Sequence, residues 1–459
     1  MYRYTRLLPQ SAAVLLILSG CATNYDARLV ERRTQQLYRA AQAPKLYEPD
    51  AQPLPSVEAL FADAELELYL AFGLKNSARL RTVFETWSAA TERVEQVSTL
   101  PDPRLSFGAF IEEVQTRTGP QKHRIGLSQA FPWPGKLDAK ANLATKKAEA
   151  SWEQVEQVRL GVARRIEVAF YEYAFLAREL AITTELLELV QSLEPVVQGR
   201  IRGGAGQEDL LRLQVEIGRL EDDVASISQR QPALSARLAD AMNLPLRGVA
   251  RSLPFPELLA PTPSTRDAAA LIAQGLVSSP KLRVLERRLE VALAAEKLTK
   301  YKRRPEFSAR VDYIDTGKAL GSGTPGSGDD PLFVGLSLSL PVWTSSYSAA
   351  EREARKSLHA ARTGLEDARS TLNADITEEV YRVDDSQRRF ELYRESLIPR
   401  ARESLKLTTV SYRAGSASVL DLLDSERALL EFELSYWRAC REYLQGEARL
   451  TELLGGAIQ

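Results

Sequence analysis

The sequence predicts a mainly α-helical chain with long coiled coils and a small four-stranded membrane β-sheet, three copies of which would supply the twelve strands of a β-barrel. Three observations lead to this fold class. The chain is internally duplicated, each copy carries a pair of short amphipathic strands, and each pair precedes a helical segment too long for a compact core. Each chain therefore supplies four strands and two long helical hairpins.

The internal duplication is visible as four blocks that recur in the same order. Residues 73–81 align with 275–283, and residues 103–107 align with 305–309, both at an offset of 202. Residues 126–132 align with 335–341 at an offset of 209, and residues 209–211 align with 421–423 at an offset of 212. Because the blocks keep their order, we interpret the chain as two structural copies of one unit.

Each copy begins with a helix, at 57–98 and 264–302, and continues with a β-hairpin, at 104–131 and 305–340. Apolar residues alternate with mostly small ones, a pattern typical of strands with one face on lipid and one on a wet lumen. The alternation is clearest at Leu332, Val334, Leu336, Leu338 and Leu340. A hairpin packed on a soluble helix would show the same period, but such a hairpin is marginally stable alone.

A proline–tryptophan junction ends each hairpin, and a long helix follows. Apolar residues recur there at steps of three and four, with one irregular step per copy, which predicts a locally unwound coiled coil. Segments 136–199 and 345–412 would each extend on the order of 100 Å. We therefore predict a first repeat at 57–243 with its helical hairpin at 136–243, a proline-rich connector at 244–263, and a second repeat at 264–459 with its helical hairpin at 345–455.

The composition argues against several functions. The chain has 459 residues with 60 basic and 61 acidic side chains, and a formal net charge of −1 gives no electrostatic basis for nucleic-acid binding. Two cysteines and two histidines are too few for a disulfide framework or a zinc cluster. The sequence also has no nucleophile–base pair or phosphate loop. We predict no catalytic residue, no metal, no cofactor and no enzymatic activity.

The N-terminus predicts the compartment. Residues 1–20 have a basic start and a short apolar core, as in a secretory signal peptide. Small residues then lead to Cys21, in a pattern that looks like a bacterial lipobox, in which the cysteine is acylated and becomes the first mature residue. Ala22 follows, where an aspartate would favour inner-membrane retention. We expect residues 21–56 to be an acylated linker at the outer membrane; the alternative is an ordinary signal peptide with a chance cysteine.

Three features carry a resemblance to the TolC-like outer-membrane efflux family, specifically to its acylated members. They are the lipobox at Cys21 and the motifs QAFPWPGK at residues 129–136 and YRAGSASVLDLLD at residues 412–424. The resemblance covers nearly all of the mature chain and implies a homotrimer with a barrel in the outer membrane and a helical tunnel in the periplasm. It also implies two protein partners, a periplasmic adaptor (membrane fusion) protein and a proton-driven inner-membrane transporter that supplies the energy.

The tip motif contains a pair of carboxylates with a predicted role. Asp421 and Asp424 lie one helical turn apart and so share a face. Three chains would place six carboxylates around the tunnel mouth, where they would attract cations and exclude anions. An aspartate pair on a solvated helix face is the alternative interpretation.

The resemblance also implies a closed-gate network between the tip helices. Tyr412 and Asp209 correspond to family positions in that network. Some relatives place an arginine where this chain has Ala417, so Arg413 or Arg202 is expected to take its place.

Four further residues have predicted structural roles. Gly203 and Gly415 are expected to serve the tip turns, because glycine tolerates positive φ. Trp133 and Trp343 are expected to lie in a membrane-interface girdle.

Three functions fit these patterns. The first is an efflux duct for small toxic solutes or heavy-metal cations, and the likeness around residues 131–136 favours heavy-metal cations. The second is the same duct serving type I protein secretion. The third is a lipid-anchored periplasmic coiled-coil scaffold, although a scaffold has no need for two repeated hairpins that end at tryptophans.

Overall fold

The computed structural model describes residues 57–202, 206–244 and 252–456. The predicted signal peptide, Cys21 and Gly203 lie outside the described residues. The chain divides into two compact units. The first contains residues 85–152 and 285–365, and the second contains the described parts of 57–84, 153–284 and 366–456.

The first unit contains one four-stranded antiparallel sheet with its strands in chain order. The strands are β1 (Arg104–Thr116), β2 (Gly119–Phe131), β3 (Phe307–Thr316) and β4 (Leu332–Leu338). β2 pairs with β3, with Phe131 opposite Phe307 and Gly126 opposite Asp312, so the two hairpins join edge to edge. The prediction of a mainly helical chain with four strands is confirmed.

The two faces of this sheet differ in polarity. One face carries exposed apolar side chains: Leu336 is 86% exposed, Leu105 is 76% exposed and Phe107 is 71% exposed. The opposite face carries Asp312, which is fully buried and forms salt bridges with Arg124 at 2.9 Å and Arg310 at 2.8 Å. The alternation predicted from the sequence therefore separates an apolar face that the chain leaves uncovered from a charged, paired one.

Eleven α-helices are found among the described residues, and none of them is long and apolar enough to span a bilayer. In chain order they are α1 (Val57–Ala62), α2 (Leu66–Asn76), α3 (Ala78–Ser98), α4 (Lys136–Ser192), α5 (Glu194–Arg202), α6 (Glu208–Ala241), α7 (Ala268–Ser278), α8 (Pro280–Thr299), α9 (Thr344–Leu392), α10 (Ile398–Ala414) and α11 (Val419–Leu454). A 3₁₀ turn (Lys300–Arg303) follows α8.

The first helix of each repeat is divided, whereas the sequence predicts one continuous helix. The first repeat is interrupted at residues 63–65 and again at Ser77, and the second at Ser279, which is equivalent to Ser77 at the offset of 202. Ser279 precedes Pro280, which disfavours helical backbone at the residue before it. Ser77 restarts its helix by accepting a hydrogen bond from the backbone N–H of Leu80 at 3.2 Å.

The long helices are also interrupted where the sequence predicts continuity. One residue, Leu193, separates α4 from α5, and a π-helical turn (Tyr393–Leu397) joins α9 to α10. Pro195 and Pro399 lie immediately after these points. Proline lacks an N–H group and its ring clashes with the carbonyl four residues earlier, so the helix must adjust there.

A glycine in each repeat allows two helices of the second unit to approach closely. Gly73 of α2 and Gly275 of α7 are equivalent positions. A Cβ atom on Gly73 would collide with Cδ1 of Ile166, and one on Gly275 would lie 2.5 Å from Cδ1 of Ile376. Both isoleucines are fully buried. The two repeats thus use the same packing contact.

We predict that Gly275→Ala lowers the free energy of unfolding by about 1–3 kcal/mol, because the Ile376 side chain must leave its place in a packed core. Denaturant titration of the purified protein would measure the change. Gly218→Ala in α6 is the control, since its added Cβ would have no atom within 4 Å apart from the adjoining backbone of its own helix and its chain neighbours. That control should be neutral or stabilising by up to about 1 kcal/mol. Equal stability of Gly275→Ala and wild type would show that the close approach is not needed.

Candidate functional site

The candidate site lies in the second unit, where both helical hairpins turn. We call this region the tip; it comprises the ends of α5 and α10 and the beginnings of α6 and α11. A single apolar core lies next to the turns and contains Leu186, Val190, Leu193, Val197, Leu213, Leu220, Leu405, Tyr412, Val419, Leu422 and Leu423. Because the core draws residues from both repeats, movement of one hairpin must disturb the packing of the other.

The turn from α10 to α11 is formed by local hydrogen bonds. Gly415 has a φ of 84°, in the left-handed region, and its N–H donates to the carbonyl of Tyr412 at 3.1 Å. Ser418 and Asp421 form a capping box: the Asp421 N–H donates to the Ser418 hydroxyl at 3.2 Å, and the Ser418 N–H donates to the Asp421 carboxylate at 2.9 Å. The beginning of α11 is therefore well defined.

The two predicted ring carboxylates are both exposed. Hydrogen bonds from the hydroxyl and N–H of Ser418 lower the pKa of Asp421, so its charge is retained in mildly acidic conditions. Asp424 has a side chain that is 63% exposed, and its Oδ1 lies 3.5 Å from Nη1 of Arg427. Asp421 thus has a structural role as a helix cap that the sequence analysis did not assign to it.

Tyr412 is fully buried and is contacted by an arginine that the sequence analysis did not select. The guanidinium carbon of Arg200 lies 4.4 Å from the centre of the Tyr412 ring. Nη1 of Arg200 donates to the carbonyl of Tyr412 at 3.1 Å and to that of Ala417 at 3.5 Å. Arg200 therefore connects the end of α5 to the turn of the other repeat.

The remaining gate candidates lie around this contact. Arg202 and Arg413 are exposed, and Arg200 makes the Tyr412 contact that was expected of one of them. The reason is helical spacing, because Leu193, Val197 and Arg200 follow one face of the chain into the tip core, and Arg202 does not. Burial raises the pKa of Tyr412, Arg200 opposes that shift, and the charge of the half-buried Asp209 adds to it.

Two buried glutamates lie next to the tip core and were also missed. Glu216 of α6 is 3% exposed and Glu426 of α11 is 2% exposed. A sequence signal exists, because each glutamate takes the place of an apolar residue at three- and four-residue spacing. Glu216 lies between Leu213 and Leu220, and Glu426 follows Leu422 and Leu423.

The predicted girdle tryptophans lie in the first unit, in different surroundings. Trp133 is half-buried, with its ring stacked on Phe307 at 5.8 Å and the Arg304 guanidinium 5.5 Å from its centre. Lys136, which ends the first motif, forms a salt bridge with Glu306. Trp343 is 73% exposed. Trp133 therefore joins the two repeats, whereas Trp343 is free to contact another surface.

We predict that Arg200→Ala loosens the α10–α11 turn, because it removes two hydrogen bonds and a cation–π contact worth about 1–3 kcal/mol together. Amide hydrogen exchange in residues 412–418 should accelerate roughly tenfold at constant pH. Arg202→Ala is the matched control on the same helix and should leave exchange unchanged. Equal acceleration by both variants would contradict the special role of Arg200.

Comparison with known proteins agrees with this architecture. Residues 271–456 match the sequence model of the family described as outer membrane efflux protein. The pyoverdine export outer membrane protein OpmQ of Pseudomonas putida is 24% identical over 350 residues, which cover 73% of this chain and 70% of that protein. The predicted resemblance to TolC-like outer-membrane efflux proteins is confirmed.

Solved structures show the same fold. The outer-membrane channel OprN superposes with a TM-score of 0.73 at 20% identity, covering 91% of this chain and 95% of that chain. The outer membrane protein VceC of Vibrio cholerae superposes with a TM-score of 0.70 at 18% identity, covering 88% of this chain and 100% of that chain. The chain therefore has the fold of outer-membrane channel subunits.

Proposed function

We propose that the protein is the outer-membrane exit duct of a tripartite efflux pump and acts as a passive homotrimeric channel. In this proposal three sheets close into a twelve-stranded barrel in the outer membrane, and the helical hairpins form a tunnel into the periplasm. The acyl chain on Cys21 would add a lipid anchor. A periplasmic adaptor and an inner-membrane transporter would load the duct, which itself catalyses no reaction.

The observation that carries the proposal is the incomplete sheet of the first unit. Its order leaves β1 and β4 as edges, and its apolar face remains exposed in the chain. Unpaired edges and an uncovered apolar face are unfavourable in water, and closure into a barrel removes both problems. Four strands are too few to close alone, whereas three chains supply twelve strands.

The cargo in this proposal is a small solute. OpmQ, a relative over most of its length, is a pyoverdine export protein by name, which supports small-molecule export over protein secretion. Export of heavy-metal cations is a narrower form of the proposal. Asp421 and Asp424, both charged and exposed at the tip, would favour cations at the tunnel mouth.

We predict a protein mass of roughly three times the 51.0 kDa of the full chain when the detergent-extracted protein is measured by light scattering. A variant with a non-lipoprotein signal and Cys21→Ser separates the two possible anchors. A barrel would keep this variant trimeric and in the outer-membrane fraction. A scaffold held only by lipid would become soluble, and the duct proposal would then be wrong.

We predict that the double variant Asp421→Asn, Asp424→Asn lowers the cation-to-anion permeability ratio about twofold or more, because the tip loses two charges per chain. Reversal potentials across a salt gradient in planar bilayers would measure this ratio. Asparagine keeps an oxygen that can accept the Ser418 N–H bond, so the helix cap is preserved. Glu403→Gln on α10, with a side chain 61% exposed, is the control and should leave the ratio unchanged. An unchanged ratio in the double variant would reject the ring.

A further inference from the structure

The buried carboxyl group of Glu426 lacks a compensating hydrogen bond at one of its oxygens. Glu426 is only 2% exposed, and its Oε2 atom accepts no hydrogen bond among the described residues. A buried carboxylate without donors is strongly disfavoured, whereas a protonated carboxyl is tolerated far better. The surroundings of Glu426 therefore favour its neutral form.

Glu216, its acidic neighbour on α6, has the opposite environment. Nη2 of Arg427 lies 2.5 Å from Oε2 of Glu216, and Nε of Arg427 lies 3.3 Å from Oε1. Nη2 of Arg219 lies 3.2 Å from the same Oε1. Two guanidinium groups thus contact the carboxylate of Glu216, and the charge of this carboxylate acts on Glu426.

Several charged side chains on the helices around this pair have partners of their own. The hydrogen bond between Ser425 and Thr408 shows which part of α10 lies beside Glu426. The ion pairs of that part and of the neighbouring turns are Arg402 with Glu433, Lys406 with Glu403, Arg212 with Glu208, and Arg427 with Asp424, and Glu194 accepts a hydrogen bond from the amide of Gln214. Glu216 is the charged group among the described residues that raises the pKa of Glu426.

Burial, and secondly the charge of Glu216, raise the pKa of Glu426 to about 7 from an ordinary value of 4.5. The packed tip then binds a proton more tightly than a loosened tip in which Glu426 meets water. Protonation therefore stabilises the packed tip below pH 4.5, and this stabilisation is lost as the pH rises from 4.5 to about 7. The window includes neutral pH, where a small change in proton concentration changes the charge.

We propose that Glu426 is a protonation switch for the packing of α6 against α11 beside the tip core. When its carboxyl is protonated, the side chain stays buried next to Glu216 and the helices remain packed. When the carboxyl ionises, it repels Glu216 and needs water, so α11 loosens from α6. The further step, in which this loosening opens the duct, rests on the proposed function. The switch itself is a property of the tip packing.

Hydrogen exchange of the α11 amides tests the switch without requiring channel activity. The full-length protein and Glu426→Gln, which keeps the neutral form, are compared at the same pH so that the intrinsic exchange rates cancel. At about pH 4, below the ordinary pKa of 4.5, the two proteins should exchange residues 419–430 at equal rates within about twofold. By about pH 8 the wild type should exchange these residues at least about tenfold faster than the variant.

Two further variants keep the test specific. Glu433→Gln lies on the same helix, with its side chain 18% exposed and paired with Arg402, and should give a ratio to wild type that does not change with pH. Glu216→Gln removes the repelling charge and should move the wild-type transition to lower pH. A pH-independent ratio for Glu426→Gln would overturn the switch. If the ratio did not change with pH but the protein conducted ions normally in bilayers, the switch would be wrong and the duct proposal would stand. If exchange followed the prediction but the protein did not conduct, the duct proposal would be wrong and the switch would stand.

Discussion

The open edges of the sheet are the constraint on which the rest of the structure depends. A strand must satisfy the hydrogen-bonding groups on both of its sides, and β1 and β4 each have a partner on one side in the sheet of this chain. The apolar face formed by residues such as Leu105 and Leu336 adds to the same requirement, since it remains exposed in the chain. In the proposed homotrimer, further copies of the chain would meet both needs, so it is the sheet, rather than the helices, that supports this proposal.

The duplication explains why so much of the helical structure occurs twice. Gly73 and Gly275 admit Ile166 and Ile376 into equivalent contacts, and a proline follows each interruption of a long helix. The tip departs from this symmetry. Arg200 of the first repeat contacts Tyr412 of the second repeat.

The two buried glutamates, Glu216 and Glu426, also depart from the symmetry between the two repeats. At the offset of 212, Glu426 corresponds to Gln214 and Glu216 corresponds to Ala428, so neither acid has an acidic counterpart in the other repeat. Side chains that break the repeat pattern are free to serve a task that the shared architecture does not impose. Here they lie beside a core to which both helical hairpins contribute.

Parts of the tip could be predicted and parts could not, for definite reasons. Asp421 and Asp424 follow from a local motif and helical spacing. Arg200 and Glu426 occur at the same three- and four-residue spacing as the apolar core residues. A pattern built from apolar side chains alone does not include them. Arg200 contacts Tyr412, and Glu426 is affected by the charge of Glu216; in both cases the second residue lies more than 200 positions away in the chain.

The sequence by itself determined the duplication, the four strands, the helical hairpins and the tip turn at Gly415. These features depend on local periodicity and on the backbone preferences of glycine and proline, which every segment carries with it. Only the tertiary structure decided that Arg200 contacts Tyr412, that Trp133 stacks on Phe307, and that Glu426 is buried beside Glu216. Burial and charge pairing arise between segments far apart in the chain, and they exist only once those segments have packed together.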